Sequence, residues 1–297
     1  MTSEETVRIG YRAPYRFDKL LAFFGRRALE GVELVEGKSY ARTVRLALPG
    51  GDEAQGWLRV TDDPSSQSLI LTISDSLINY EPQVSARIRR QFDVETDPQA
   101  VHEGLRSLDE VAPGAAVEGT RVPGCFDSFE TACRAVLGQQ VTVAAAGRFA
   151  ARIVESYGSL VETGIAGLTH AFPTPAEVLA IDDVETAFGT LGVIRSRSRT
   201  IAELARLIEA GELSLCPEAD AKDQMERLLA IRGIGPWSAN YLAMRTLGHP
   251  DAFMETDVGV AQALPELTPR ERRALAERWR PWRSYANVCL WNSLEDG

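Results

Sequence analysis

One stretch constrains this chain more than any other: from Leu228 to Leu242 it reads Leu-Leu-Ala-Ile-Arg-Gly-Ile-Gly-Pro-Trp-Ser-Ala-Asn-Tyr-Leu. A helix ends, a tight turn follows at Gly233-Ile234-Gly235, and a second helix begins at Pro236, a residue suited to the first helical position. The two glycines are expected to supply backbone angles closed to residues with a Cβ and to leave the turn amides unobstructed. Leu229, Ile231, Ile234, Ala239 and Leu242 form an apolar pattern that fixes the two helices against each other. The free amides at the start of the second helix, at the positive end of its dipole, are a natural seat for a phosphate. A purely structural αα-hairpin satisfies the same pattern. The phosphate alternative assigns DNA-backbone contacts to Gly233, Ile234, Gly235 and Ser238.

Composition speaks partly against that alternative. The formal net charge is −10, whereas phosphate binding calls for Lys and Arg. Arginine nevertheless collects at Arg195, Arg197 and Arg199 and again at Arg270, Arg272, Arg273, Arg278, Arg280 and Arg283, while acid gathers in loops such as Asp62-Asp63. A basic face on an acidic body is one reading of those clusters, and solvated helix surfaces are the other. No apolar run approaches the roughly 20 residues of a bilayer span, and Met1 to Arg8 holds no signal-peptide core. A cytoplasmic protein without membrane contact is therefore expected. Cys125, Cys133, Cys216 and Cys289 are too scattered for a disulfide scaffold or a metal site and read as packed thiols.

At 297 residues two compact units are expected. The periodicity predicts a helix over Phe17 to Leu29, then strands over Tyr40 to Leu48, Gly56 to Thr61 and Ser68 to Ile73. Turns at Pro49-Gly50-Gly51 and Asp62-Asp63-Pro64-Ser65 separate them as an antiparallel meander requires. Pro82 to Phe92 reads as a helix and Ala112-Pro113-Gly114 as a connector. From about Val122 the chain reads as successive helices with no strand. Asp127 with Glu130 looks like a capping box, Thr174-Pro175 and Asp182 or Asp183 look like helix starts, and Gly158 and Gly211 look like stops. The fold class is thus α+β: residues 1–115 form a small antiparallel sheet with helices, and residues 116–297 form an all-α helix-hairpin-helix domain.

Asp257 follows the hairpin after enough chain for one helix and a return loop. Asp257 or Thr256 suits the cap of a helix running to Leu264. A capping role and a chemical role can coexist, because a carboxylate at a helix N-terminus is held ionised. The hairpin with its distal aspartate resembles the helix-hairpin-helix-Gly/Pro-Asp superfamily of base-excision DNA glycosylases, and more closely the bacterial 3-methyladenine-DNA glycosylase II family of the AlkA type. The carrying motifs are Pro123-Gly124-Cys125, Val136-Leu137-Gly138-Gln139-Gln140-Val141, Phe172-Pro173-Thr174-Pro175, the hairpin itself, and Glu277 to Ala286, with Ala13-Pro14-Tyr15 and Ser39-Tyr40-Ala41-Arg42 in the first unit.

The resemblance implies an enzyme that extrudes a damaged nucleotide from duplex DNA and hydrolyses its glycosidic bond. It implies that Asp257 is the catalytic carboxylate, that Trp237, Tyr241, Trp291 and Phe23 enclose the base, and that Gln140 stands at the wedge position, where the family has leucine. The family tyrosine after the aspartate is Val258 here. Electron-rich rings would attract a cationic methylated purine by roughly 0.5–2 kcal/mol. Trp237 stands where strand-nicking relatives carry a lysine nucleophile, so a monofunctional enzyme that leaves an abasic site is expected. No cofactor is required, although backbone carbonyls of Leu229, Ile231 and Ile234 suit a structural monovalent cation. The expected partner is double-stranded DNA containing damaged bases, bound by a monomer. Two alternatives stay open: a non-catalytic helix-hairpin-helix DNA-binding module, and a glycosylase for deaminated or oxidised bases.

Overall fold

The computed structural model describes residues 4–48 and 50–295. Pro49 of the expected turn lies outside the described residues, as do Met1 to Ser3 at the polar N-terminus. The first half contains strands β1 (Glu4–Gly10), β2 (Glu33–Glu36), β3 (Ser39–Ala47), β4 (Glu53–Asp63) and β5 (Ser68–Ser74), with helices α1 (Phe17–Gly25), α2 (Glu81–Gln91) and α3 (Pro98–Gly104). The strands form one antiparallel sheet in the order β1-β5-β4-β3-β2. The three strands read from sequence are its centre. The two that escaped that reading, β1 and β2, are its edges, where polar residues such as Glu4, Glu5 and Glu36 are tolerated beside an apolar alternation.

Period-two alternation puts Tyr40, Val44, Leu58, Val60, Leu69, Leu71 and Ile73 on one face, where they bury Phe17, Leu20 and Phe24 of α1 and Val84 and Ile88 of α2. Helix α1 stops at Gly25 rather than near Leu29, because Leu29 and Val32 leave this core and enter that of the second half.

The second half comprises α4 (Ser128–Leu137), α5 (Val143–Tyr157), α6 (Pro175–Leu179), α7 (Val184–Thr190), α8 (Arg195–Glu209), α9 (Ala221–Ala230), α10 (Pro236–Arg245), α11 (Val258–Ala263), α12 (Pro269–Ala276) and α13 (Arg283–Ser293). It is not free of strands: β6 (Ser159–Leu160) pairs antiparallel with β7 (His170–Ala171), and the carbonyl of His170 accepts from the Thr43 hydroxyl of β3 at 2.7 Å. Two residues are too few to show a period in sequence. Thr174 closes a true capping box with Glu177, and Asp183 caps α7. At α4 only half a box forms. Asp127 accepts from the Glu130 amide, but the Glu130 side chain turns inward to Arg42 and Arg134.

Two cores organise these helices. One joins α4, α5, α8 and the hairpin; the other joins residues 101–122 with the end of α10, α11 and α13 around Trp279. Among the described residues no helix is long and apolar enough to cross a membrane.

Candidate active site

The loop between α9 and α10 makes the hairpin turn. Gly233 sits at φ +99°, and a Cβ there would stand 2.3 Å from Oγ1 of Thr200, so glycine is required twice over. Gly235 differs from expectation. Its φ is −99°, which other residues adopt readily, and a Cβ would meet nothing within 4 Å. What Gly235 keeps bare is the approach to the N-terminus of α10, where no side chain caps the helix. Ile231 and Ile234 are buried in the core, whereas Leu229 is largely exposed.

Helix α10 presents Trp237, Tyr241 and Arg245 at intervals of four residues and therefore on one face. The Trp237 and Tyr241 rings stack with centroids 5.0 Å apart at 10°. Asp257 is the N-cap of α11, as its sequence context suggested. Its Oδ1 accepts from the amides of Gly259 (2.9 Å) and Val260 (3.2 Å) and from Nε1 of Trp291 on α13 (2.8 Å), while Oδ2 accepts from Nε1 of Trp237 (2.9 Å). Among the described residues no Lys or Arg pairs with this carboxylate, and the donors that hold it are backbone amides and indole N–H groups. Trp291 in turn lies nearly parallel to Phe23 of α1, with centroids 6.2 Å apart at 17°.

Asp257, the four aromatic residues, Gln140, Gly233, Gly235 and Ser238 all line one cavity of about 1960 Å³ between the two halves. Ile234 does not line it and is buried in the neighbouring core. A drug-sized ligand fills roughly 300–1,000 Å³, so this space suits a polymer segment with one inserted group better than a free metabolite. Gln140 is exposed at its edge with φ +56°, projecting between α4 and α5. The preceding Gln139 donates to the Gly233 carbonyl (2.8 Å) and the Ser238 hydroxyl (3.1 Å), and Arg197 grips the Gln139 carbonyl.

Three contributors were not singled out from sequence: Arg27, Arg245 and Gln139. Arg245 lies four residues after Tyr241 on the same face of α10, whereas Arg27 lies two residues beyond the end of α1 and no pattern in the sequence marks it. The Arg27 guanidinium sits over Phe23, Cζ to centroid 3.9 Å, and Arg245 over both Phe23 (4.9 Å) and Tyr241 (5.4 Å). Burial alone would raise the Tyr241 pKa, but Arg245, Arg27 and Arg134 hold the phenol below its ordinary value. Burial and neighbouring cations likewise lower that of Arg27. The second arginine cluster is mostly structural. Arg273 pairs with Glu255, Arg278 with Glu110, and Arg280 and Arg283 with Asp251 and Glu277, while Arg272 is buried on carbonyls. In contrast, the exposed side chains of Arg148, Arg195 and Arg232 have no hydrogen bond or ion pair among the described residues.

Comparison with known proteins gives this arrangement a context. Residues 6–127 match the AlkA N-terminal domain, and residues 133–282 match the HhH-GPD superfamily base excision DNA repair protein. The chain is 34% identical over 283 residues to the DNA-3-methyladenine glycosylase 2 of Escherichia coli, with 95% of each chain covered. It is 37% identical over 295 residues to the probable bifunctional transcriptional activator/DNA repair enzyme AlkA of Mycobacterium tuberculosis, covering 98% of this chain but only 57% of that longer relative. A solved 3-methyladenine DNA-glycosylase from Archaeoglobus fulgidus has the same fold at a TM-score of 0.76, 20% identity and 97% coverage of both chains. With a hairpin, a capping aspartate and an aromatic cavity in one place, and both halves matched in order, the chain belongs to the HhH-GPD superfamily of base excision DNA repair proteins and carries the AlkA N-terminal domain.

Proposed function

We propose that the protein is a monofunctional DNA glycosylase that releases alkylated bases, such as 3-methyladenine, from duplex DNA and leaves an abasic site. One observation carries this reading: an unpaired carboxylate, Asp257, fixed by two tryptophan N–H groups at the wall of an aromatic cavity. A module that only gripped phosphates would need neither the carboxylate nor the rings.

In this reading the uncapped start of α10 and the amides of Gly233 and Gly235 seat the backbone, with Arg148, Arg195 and Arg232 supplying local positive charge despite the acidic total. Gln140 occupies the gap left by the extruded nucleotide. As the C1′–N bond breaks, its electron pair passes to the base and positive charge develops on the sugar, which Asp257 stabilises. A water oxygen bonds C1′, and its proton passes by way of Asp257 to solvent. The chemistry uses no cofactor. The indole of Trp237 offers no amine for a Schiff base. A monovalent cation at the hairpin belongs to the same reading: the Leu229 and Ile234 carbonyls accept no protein hydrogen bond among the described residues, although that of Ile231 already accepts from the Ile234 amide at 3.0 Å.

Residues 1–115 contribute Phe23 and Arg27 to the cavity, and residues 116–297 the hairpin, the wedge and Asp257. A monomer acting in the cytoplasm completes the proposal. Asp257→Asn is the direct test, because asparagine still caps a helix and so removes charge without removing the cap. Free base released from methylated duplex DNA is expected to fall by about 100-fold or more. Undiminished release would remove Asp257 from this role.

A further inference from the structure

Gln140 stands apart from its surroundings in two ways. Its backbone is left-handed, φ +56°, a conformation that a residue with a Cβ holds only where the chain on either side imposes it. Here both sides do so. The Gln139 carbonyl accepts from Arg197, the Gln139 side chain reaches the hairpin, and the Thr142 hydroxyl caps α5 by accepting from the Ala145 amide at 3.2 Å. The side chain between these anchors is exposed, at the edge of the cavity away from Asp257.

The second feature is an uncommitted amide. Among the described residues Oε1 and Nε2 of Gln140 make no hydrogen bond, whereas Nε2 of the adjacent Gln139 is spent on the Gly233 carbonyl and the Ser238 hydroxyl. Val141 and Val143, which flank Gln140 in the cavity lining, bring no polar side-chain atom. An amide offers an acceptor and a donor side by side. The Watson–Crick edge of each base carries the complementary pair: N3–H beside O4 in thymine, N4–H beside N3 in cytosine, N6–H beside N1 in adenine, N1–H beside O6 in guanine. A carboxylate only accepts and a guanidinium only donates, so each leaves part of every edge unmatched; leucine leaves the whole edge unmatched.

We propose that Gln140 hydrogen-bonds the base left behind on the opposite strand when the damaged nucleotide is extruded, and that it accepts any of the four. The proposal rests on the glycosylase reading above, in which Gln140 fills the gap, and adds what that residue recognises there. Damaged adenine leaves thymine without a partner, and damaged guanine leaves cytosine. One side chain that serves both must present a donor and an acceptor together. Without it the stranded edge would lie against the protein unpaired, at a cost to binding.

The test is equilibrium binding to duplexes that hold one abasic-site analogue, because the opposite base is then unpaired from the start and no pairing by a lesion enters the comparison. The parent protein is expected to bind duplexes with thymine, cytosine, adenine or guanine opposite the site within about threefold of one another. It is expected to bind about tenfold more weakly when difluorotoluene, which has the shape of thymine without its hydrogen-bonding atoms, takes that place. Gln140→Leu fills the gap without polar atoms and, at an exposed position, keeps the fold. This variant is expected to bind the thymine and difluorotoluene duplexes equally, which separates hydrogen bonding from stacking. Equal binding of those two duplexes by the parent, a spread of about tenfold or more among the four natural bases, or a gap that persists in Gln140→Leu overturns the proposal and leaves the glycosylase reading standing. A parent that binds abasic and undamaged duplexes alike overturns that reading instead.

Discussion

Asp257 accepts four hydrogen bonds, two of them from indoles on different helices, and its orientation therefore depends on residues far apart in the chain. Gly259 shows how little slack there is. A Cβ at that position would stand 2.7 Å from Cδ1 of Trp291 and 3.2 Å from Oδ1 of Asp257. Gly259→Ala is expected to displace the Trp291 indole and to slow base release by on the order of 10–100-fold. The protein should still melt cooperatively, since the clash lies at the cavity wall. Parent-level release by this variant would show that Trp291 does not position the carboxylate. At this scale the sequence was legible where a motif supplied context: Asp257, Trp237 and Trp291 all converge. Arg27 and Arg245 were not legible, because an arginine in a helical stretch reads as solvated surface until the ring beneath it is known.

The hairpin separates two kinds of glycine. Gly233→Ala places a methyl group in a left-handed backbone and against Thr200, whose hydroxyl holds the Arg232 carbonyl at 2.9 Å. A loss of about 1–3 kcal/mol in stability is expected by denaturant titration, together with weaker DNA binding. Gly235→Ala meets no obstacle and is expected to leave stability within about 0.5 kcal/mol of the parent. Weaker duplex binding by that variant, measured at fixed salt, would mark its amide as a phosphate contact; unchanged binding would release Gly235 from that role. Among the elements, the helices carrying caps and the central strands were readable because their periods run for several residues. The edge strands β1 and β2 and the two-residue ribbon of β6 and β7 were not, since their existence depends on partners distant in sequence.

Between the sheet and α4 lies a buried ionic cluster of Glu33, Arg42, Glu130 and Arg134, with the Tyr40 hydroxyl on Glu33 at 2.7 Å. Removing one partner strands another: Glu130→Gln is expected to cost about 3–5 kcal/mol, because Arg42 is only 5% exposed and would lose its closest carboxylate. Burial acts to raise the Glu33 pKa, but Arg134 and Arg42 outweigh it and hold the carboxyl below its ordinary value. The stability it lends is present above the ordinary glutamate range and is lost as acid protonates the native-state group. Denaturation midpoints measured as the pH is lowered through and below the ordinary glutamate range are expected to fall in the parent and to fall less steeply in Glu33→Gln. Composition puts a change in character near residue 115, and no pattern in the chain foretold that residues 101–122 would share a core with Trp279 and α13. The Gln139 bridge to Gly233 and Ser238 carries its own implication for handling a double helix. Under the proposed function, wedge and phosphate seat are tied by these two hydrogen bonds, so a strand resting on one would meet the other at a preset offset, and the duplex rather than the protein would bend.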